Sequence, residues 1–191
     1  MSALKESFPK LTPDEYFAWE EGQSSRHEYI DGDVYVMSGG TINHSEIAGN
    51  FLALLKAHLR GGGCKTLNSD ARVSIQGSSH YVYPDLSVTC DVRDQVNVQF
   101  ITYPCLIVEV LSPTTEAYDR GHKFRRYRRN ASLQDYVLVD ADSVMIELYH
   151  KGSDGKWDII DYREGDVVEL KSVNLTSPIE RVYEDIVFED S

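Results

Sequence analysis

The run CLIVEVL, residues 105–111, is apolar at every position but Glu109. It is too short to cross a bilayer, and its near-continuous apolar character reads as a central strand covered on both faces. A strand of that kind commits the chain to a sheet sandwiched between other layers. A second strand-like run, YVYPDLSVT (Tyr81 to Thr89), also carries a single carboxylate, Asp85, directly after Pro84. Leaving a carboxylate buried and unpaired costs several kcal/mol, so each acid must be hydrogen-bonded, paired with a cation or bound to a metal.

Strand alternation places Asp85 on one face with Ser87 and Thr89, and Glu109 with Ile107 and Leu111. Each acid is open to a structural reading, paired with an arginine or capping a backbone amide. If the two strands are neighbours, the pair forms a hard-oxygen site suited to magnesium or manganese, completed by water and a substrate phosphate.

Local signals predict the other elements. Thr12, Pro13 and Glu15 open a helix with a capping box. Asp31-Gly32 joins two alternating runs, RHEYI and DVYV, into a hairpin. A second helix begins near Asn43, the candidate cap, with Glu46 at the third position, and ends at Gly61. Short strands follow over 65–67, 72–75, 81–89 and 105–111. A third helix is expected after the Ser112-Pro113-Thr114 turn, running to about Asn130. DYVLVD and SVMIELYH read as further strands, and a hairpin-like tail closes the chain. The expectation is one α/β domain spanning 1–191: a mixed α+β sheet with flanking helices.

The formal net charge of −12 argues against general attraction to polyanions. The segment RGHKFRRYRR (120–129) holds six of the 19 lysines and arginines and no acid, so a polyanion would be met there. No apolar run approaches a membrane span and the first residues lack a signal-peptide core, so a cytoplasmic location is expected. Cys64, Cys90 and Cys105 are too few and scattered for a disulfide framework or a metal knuckle, and read as small buried hydrophobes.

Taken together, Pro84-Asp85, the strand with Glu109 ending in EVLSPTT, and a helix bearing Asp119, Lys123 and Tyr127 resemble the Uma-type family. That family is grouped with the PD-(D/E)XK nuclease superfamily, and EYIDGDVYVMSGG, NHSEIAGNFLALL and DYVLVD extend the resemblance over most of the chain. The resemblance implies a restriction-endonuclease-like core, a divalent metal held by Asp85 and Glu109, and the Val110 carbonyl as a further candidate ligand. The superfamily's usual lysine, two residues after the second acid, is here Leu111. The resemblance makes Lys123 its replacement, sharing a helix face with Asp119 and Tyr127. Asp119 and Lys123 are equally readable as a surface ion pair.

Glu46 is a candidate third metal ligand and His44 a supporting residue, although capping alone accounts for either. Glu28, in the hairpin, reads more simply as an exposed strand acid. Arg125, Arg126, Arg128 and Arg129 would hold a nucleic-acid backbone, with DNA the leading partner, or form a solvated basic face. Homodimers are common among proteins of this kind. The expected activity is metal-assisted phosphodiester hydrolysis. Two alternatives stand beside it: a non-catalytic nucleic-acid-binding or regulatory module on the nuclease scaffold, and a magnesium-dependent hydrolase of small phosphate esters. The sequence offers no phosphate-binding glycine loop, serine-hydrolase elbow or zinc spacing.

Overall fold

The structure is a computed structural model that describes residues 4–5, 10–37, 39–75, 79–112 and 116–188. Pro113 and Thr114 of the expected turn lie outside the described residues. Helix α1 (Pro13–Glu20) starts at the expected capping box, in which Thr12 Oγ1 accepts from the Glu15 amide at 3.3 Å. The Glu15 carboxylate accepts in turn from the Thr12 amide at 2.7 Å. Strands β2 (His27–Ile30) and β3 (Asp33–Val36) form the predicted hairpin, with β1 (Leu4–Lys5) added beyond β3. Its two turn residues take positive φ, 49° at Asp31 and 92° at Gly32, the conformation that favours this residue pair. Helix α2 (Ile42–His58) is capped by Thr41, whose hydroxyl accepts from the His44 amide at 3.2 Å. This corrects the expected cap. Asn43 instead donates its side-chain amide to the Val187 carbonyl at 3.0 Å, and Glu46 falls in the second turn.

Two six-stranded sheets follow from the pairing. The first runs β1-β3-β2-β6-β5-β8, with β5 (Arg72–Ile75), β6 (His80–Val82) and β8 (Phe100–Ile101). The second runs β12-β11-β10-β9-β7-β4, with β4 (Lys65–Asn68), β7 (Leu86–Thr89), β9 (Leu106–Val110), β10 (Asp135–Val139), β11 (Met145–Lys151) and β12 (Trp157–Arg163). A small separate hairpin of β13 (Val167–Leu170) and β14 (Leu175–Pro178) packs Val168, Leu170 and Leu175 into the core of the second sheet. The class is the expected mixed α+β.

The run read as one strand over 81–89 is two strands in different sheets, β6 and β7, broken at Tyr83-Pro84-Asp85. Proline has no amide to continue a ladder, so the chain leaves one sheet and enters the other there. Strand β9 pairs antiparallel with β7 and parallel with β10. A parallel neighbour requires a crossover, and here it is helical: α3 (Glu116–Tyr118), a π-helical turn (Asp119–Lys123) and α4 (Phe124–Tyr127) in succession. Leu106, Val108 and Val110 pack toward the core that includes Ile47, Phe51 and Leu55 of α2. Ile107 and Leu111 pack toward Phe124, Tyr127 and Tyr136 under the crossover helix. Glu109 alternates with them and shares that second face.

The cysteine reading needs correction. β4 and β7 pair with Lys65 opposite Thr89, so one residue outward Cys64 faces Cys90, and the two form a disulfide with Cα atoms 4.1 Å apart. Only Cys105 stays a free thiol, half-buried, with burial pushing it up to about 11. Among the described residues no helix is long and apolar enough to cross a membrane.

Candidate active site

The β7–β9 register pairs Leu86 with Val108. Carried beyond the ladder, it sets Asp85 opposite Glu109 and Pro84 opposite Val110. Asp85 completes the ladder with its side chain, Oδ2 accepting from the Val110 amide at 2.8 Å. The same oxygen lies 3.3 Å from His44 Nε2 at the start of α2. Burial lowers the affinity of His44 for its proton, but Asp85 and the neighbouring Val110 carbonyl outweigh it and raise the pKa above the ordinary value. That carbonyl, expected as a metal ligand, thus lies beside the His44 ring. Gly40 makes room for the ring, since a Cβ there would sit 2.7 Å from two of its atoms.

Glu109 is buried and meets the crossover helix. Lys123 Nζ lies 2.9 Å from Glu109 Oε2, 3.3 Å from Asp119 Oδ1 and 4.0 Å from Glu28 Oε1. Tyr127 donates its hydroxyl to Glu109 Oε1 at 3.0 Å. All these side chains are buried. The π-helical turn widens the helix at this point: the Phe124 amide reaches back to the Asp119 carbonyl, which also accepts from Tyr136 OH at 3.1 Å. Single-turn π-bulges are frequent at functional sites.

Three carboxylates, Glu28, Glu109 and Asp119, thus gather near one ammonium, and Asp85 acts on Glu109 from the neighbouring strand. Burial, with Asp119 and Asp85 adding to it, pushes Glu109 up to about 8 despite Lys123. For Lys123, burial works toward deprotonation, but Glu109, Glu28 and Asp119 win and hold the proton. Among the described residues, Asp119 Oδ1 has no hydrogen-bond partner of adequate geometry although the ammonium is near, leaving a buried carboxylate oxygen incompletely used.

Other buried acids differ. Asp94 accepts from Thr89 Oγ1 and the amides of Thr102 and Tyr103 at 2.7–2.9 Å, and Asp135 from the Ser172 amide while contacting His150. Those acids are structural, satisfied by neutral donors or a lone histidine. The cluster around Lys123 has an excess of negative charge instead.

A cleft of about 630 Å³ opens onto Asp85 and His44, with Arg26, Asn68 and Ser69 among its walls. Glu109 and Lys123 are not among its walls. Glu46 is exposed on α2, outside this cluster. Glu28 was read as an exposed strand acid; it is buried, and its carboxylate is approached by the Tyr83 amide at 3.5 Å. Only the packing of the crossover helix on the first sheet brings it to Lys123. The basic segment divides: Arg125, Arg126 and Arg129 line a separate cavity, while the Arg128 guanidinium lies 6.0 Å from the Phe124 ring centre.

Asp85 and Glu109 supply hard oxygens suited to a divalent metal, and the incompletely used Asp119 oxygen adds to the local excess of negative charge. Among the described residues, no group of three or more His, Cys, Asp or Glu side chains forms a ready cage for an ion.

Comparison with known proteins agrees with the fold. A crystal structure titled as that of a putative nuclease belonging to DUF820 from Anabaena variabilis superposes with a TM-score of 0.74 at 17% identity, covering 91% of this chain and 97% of that one. The uncharacterised protein slr1290 of Synechocystis is 53% identical over 181 residues, 95% of each chain. A second uncharacterised Synechocystis protein, sll1609, is 34% identical over 149 residues, 77% of this chain and 84% of its own. The profile of the Uma2 family, described as "Putative restriction endonuclease", matches residues 13–179, and the chain belongs to that family.

Proposed function

We propose that this protein is a metal-dependent nuclease that hydrolyses phosphodiester bonds, with Asp85, Glu109 and Lys123 as its catalytic residues. The observation that supports this reading best is the 2.9 Å contact between Lys123 Nζ and Glu109 Oε2, next to a carboxylate that faces an open cleft. Magnesium or manganese, when bound by Asp85 and Glu109, would lower the pKa of a water and polarise a phosphoryl oxygen. Lys123 holds its proton and offers a fixed positive charge where negative charge builds in the transition state. Asp119 and Glu28 position that ammonium, and Tyr127 fixes the Glu109 carboxylate through its hydroxyl. His44 orients Asp85 at the cleft mouth. DNA is the leading substrate, and a homodimer would pair two such sites.

The test is cleavage of single-stranded DNA, duplex DNA and RNA with magnesium or manganese, comparing wild type with Asp85→Asn, Glu109→Gln and Lys123→Met. Metal-dependent cleavage lost in all three variants supports the proposal; metal-independent cleavage, or none by the wild type, sinks it. One observation favours the non-catalytic scaffold as a second reading. Asp85 Oδ2 is already engaged by the Val110 amide and His44, which would hold the carboxylate without a metal. Nucleic-acid binding without cleavage in any metal would select that reading.

A further inference from the structure

Strand β2 connects three distinct environments. Arg26, just before it, lines the cleft at Asp85; Glu28, within it, joins the Lys123 cluster; Asp31, just after it, lines a second cavity of about 330 Å³. The other walls of that cavity are His80 from β6, His122, Arg125 and Arg126 from the crossover helix, and Arg129 from the turn after it. Asp31 lies five strand steps beyond Arg26, so these two wall residues are roughly 16 Å apart along β2, with Glu28 between them.

The cavity is strongly positive in an acidic protein. Among the described residues, no carboxylate forms an ion pair with Arg125, Arg126 or Arg129. The Arg126 guanidinium is held by the Tyr118 hydroxyl and also lies over the Tyr118 ring, which fixes its direction. Arg125 donates toward His122 Nδ1 at 3.3 Å. His80 Nε2 lies 3.4 Å from Asp31, and Ser79 Oγ lies 2.9 Å from His80 Nδ1. Three guanidiniums against one carboxylate leave about two positive charges. A phosphomonoester carries about −1.5 to −2 at neutral pH, whereas an internal phosphodiester carries about −1. Guanidinium groups also match the fork geometry of phosphate oxygens.

We infer that this cavity binds the terminal phosphomonoester of a nucleic-acid strand, anchoring the strand end a few nucleotides from the acid cluster. Taking nucleic acid as the ligand rests on the proposed function; the anion site itself rests on the convergence of three guanidiniums on one open depression with a single carboxylate among its walls. Arg128, turned onto Phe124, has no part in it.

The experiment measures fluorescence anisotropy of labelled ten-nucleotide single strands in EDTA, where no cleavage occurs. The strands carry a 5′-phosphate, a 3′-phosphate or hydroxyls at both ends, and inorganic phosphate serves as competitor. The expected result is at least tenfold tighter binding when one end is phosphorylated. Inorganic phosphate should erase that preference, and Arg125→Gln/Arg129→Gln should lose it while keeping the wild-type melting temperature. Equal affinity for all three strands overturns the inference, as does a preference that survives in the double variant. Binding of inorganic phosphate with no preference among the strands also overturns it, because it would make the cavity a site for free phosphate. Failure of the nuclease reading is separate: a phosphate preference without cleavage in magnesium keeps this inference and removes that one, and cleavage without a preference does the reverse.

Discussion

Lys123 Nζ reaches Glu109 Oε2 at 2.9 Å from a helix that starts after β9 has ended. The position two residues after Glu109, where the superfamily's pattern places its lysine, is Leu111, buried under the same helix. The ammonium therefore arrives from the crossover and not from the strand. This matters for energetics because Lys123 is the ammonium facing Glu28, Glu109 and Asp119 together. Removing one partner of a buried ionic group costs far more than the net value of the pair.

Lys123→Met should therefore lower stability at neutral pH by about 3 kcal/mol. Urea unfolding measures it. Adding Asp119→Asn to that variant should recover part of the loss, since it removes a carboxylate that faced the ammonium. An additive double variant would show that the two groups do not interact.

Magnesium or manganese should stabilise the wild type against heat. At a hundredfold excess over the dissociation constant the gain is about 2.7 kcal/mol. Asp85→Asn and Glu109→Gln should lose this metal-dependent gain while melting cooperatively without metal. Thermal unfolding at increasing metal concentration reads it directly.

Gly40→Ala would place a Cβ 2.7 Å from the His44 ring. The ring must move, breaking its contact with Asp85, at a cost of about 1 kcal/mol. The activity of Gly40→Ala should match that of His44→Ala. If it equals the wild type, the Asp85–His44 contact has no role in the chemistry.

Reduction of Cys64–Cys90 opens a loop closed by residues 26 apart in sequence, and should cost about 3 kcal/mol through the entropy regained by the unfolded chain. Thermal melts with and without a reductant, with Cys64→Ser/Cys90→Ser as the control, test this. A reductant that lowers the melting temperature of the double variant equally would place the effect elsewhere.

His80 is buried, and burial holds its pKa below 6.5; Asp31 opposes this, while Arg126 and Arg129 reinforce it. The folded state thus binds the proton more weakly than the unfolded state. The contribution of His80 is complete above pH 6.5 and is lost as pH falls through the lower folded value. Between pH 8 and 5, the wild type should lose more stability to acid than His80→Gln does. Parallel curves for the two proteins would count against this reading.

The sequence by itself determined what depends on neighbours along the chain. The Thr12–Glu15 capping box, the Asp31-Gly32 turn, the buried β9 strand and the shared face of Asp119, Lys123 and Tyr127 all follow from local geometry. Tertiary structure decided what depends on sheets and crossovers. It split the 81–89 run at Pro84, turned Thr41 rather than Asn43 into the cap of α2, and paired Cys64 with Cys90 through the β4–β7 register. It also buried Glu28 beside Lys123, 95 positions away in sequence. A strand acid such as Glu28 looks the same in sequence whether it faces water or a lysine. Only the parallel β9–β10 pairing, which forces a helical crossover over one face of the sheet, fixes which lysine it meets and so where the buried charge is balanced.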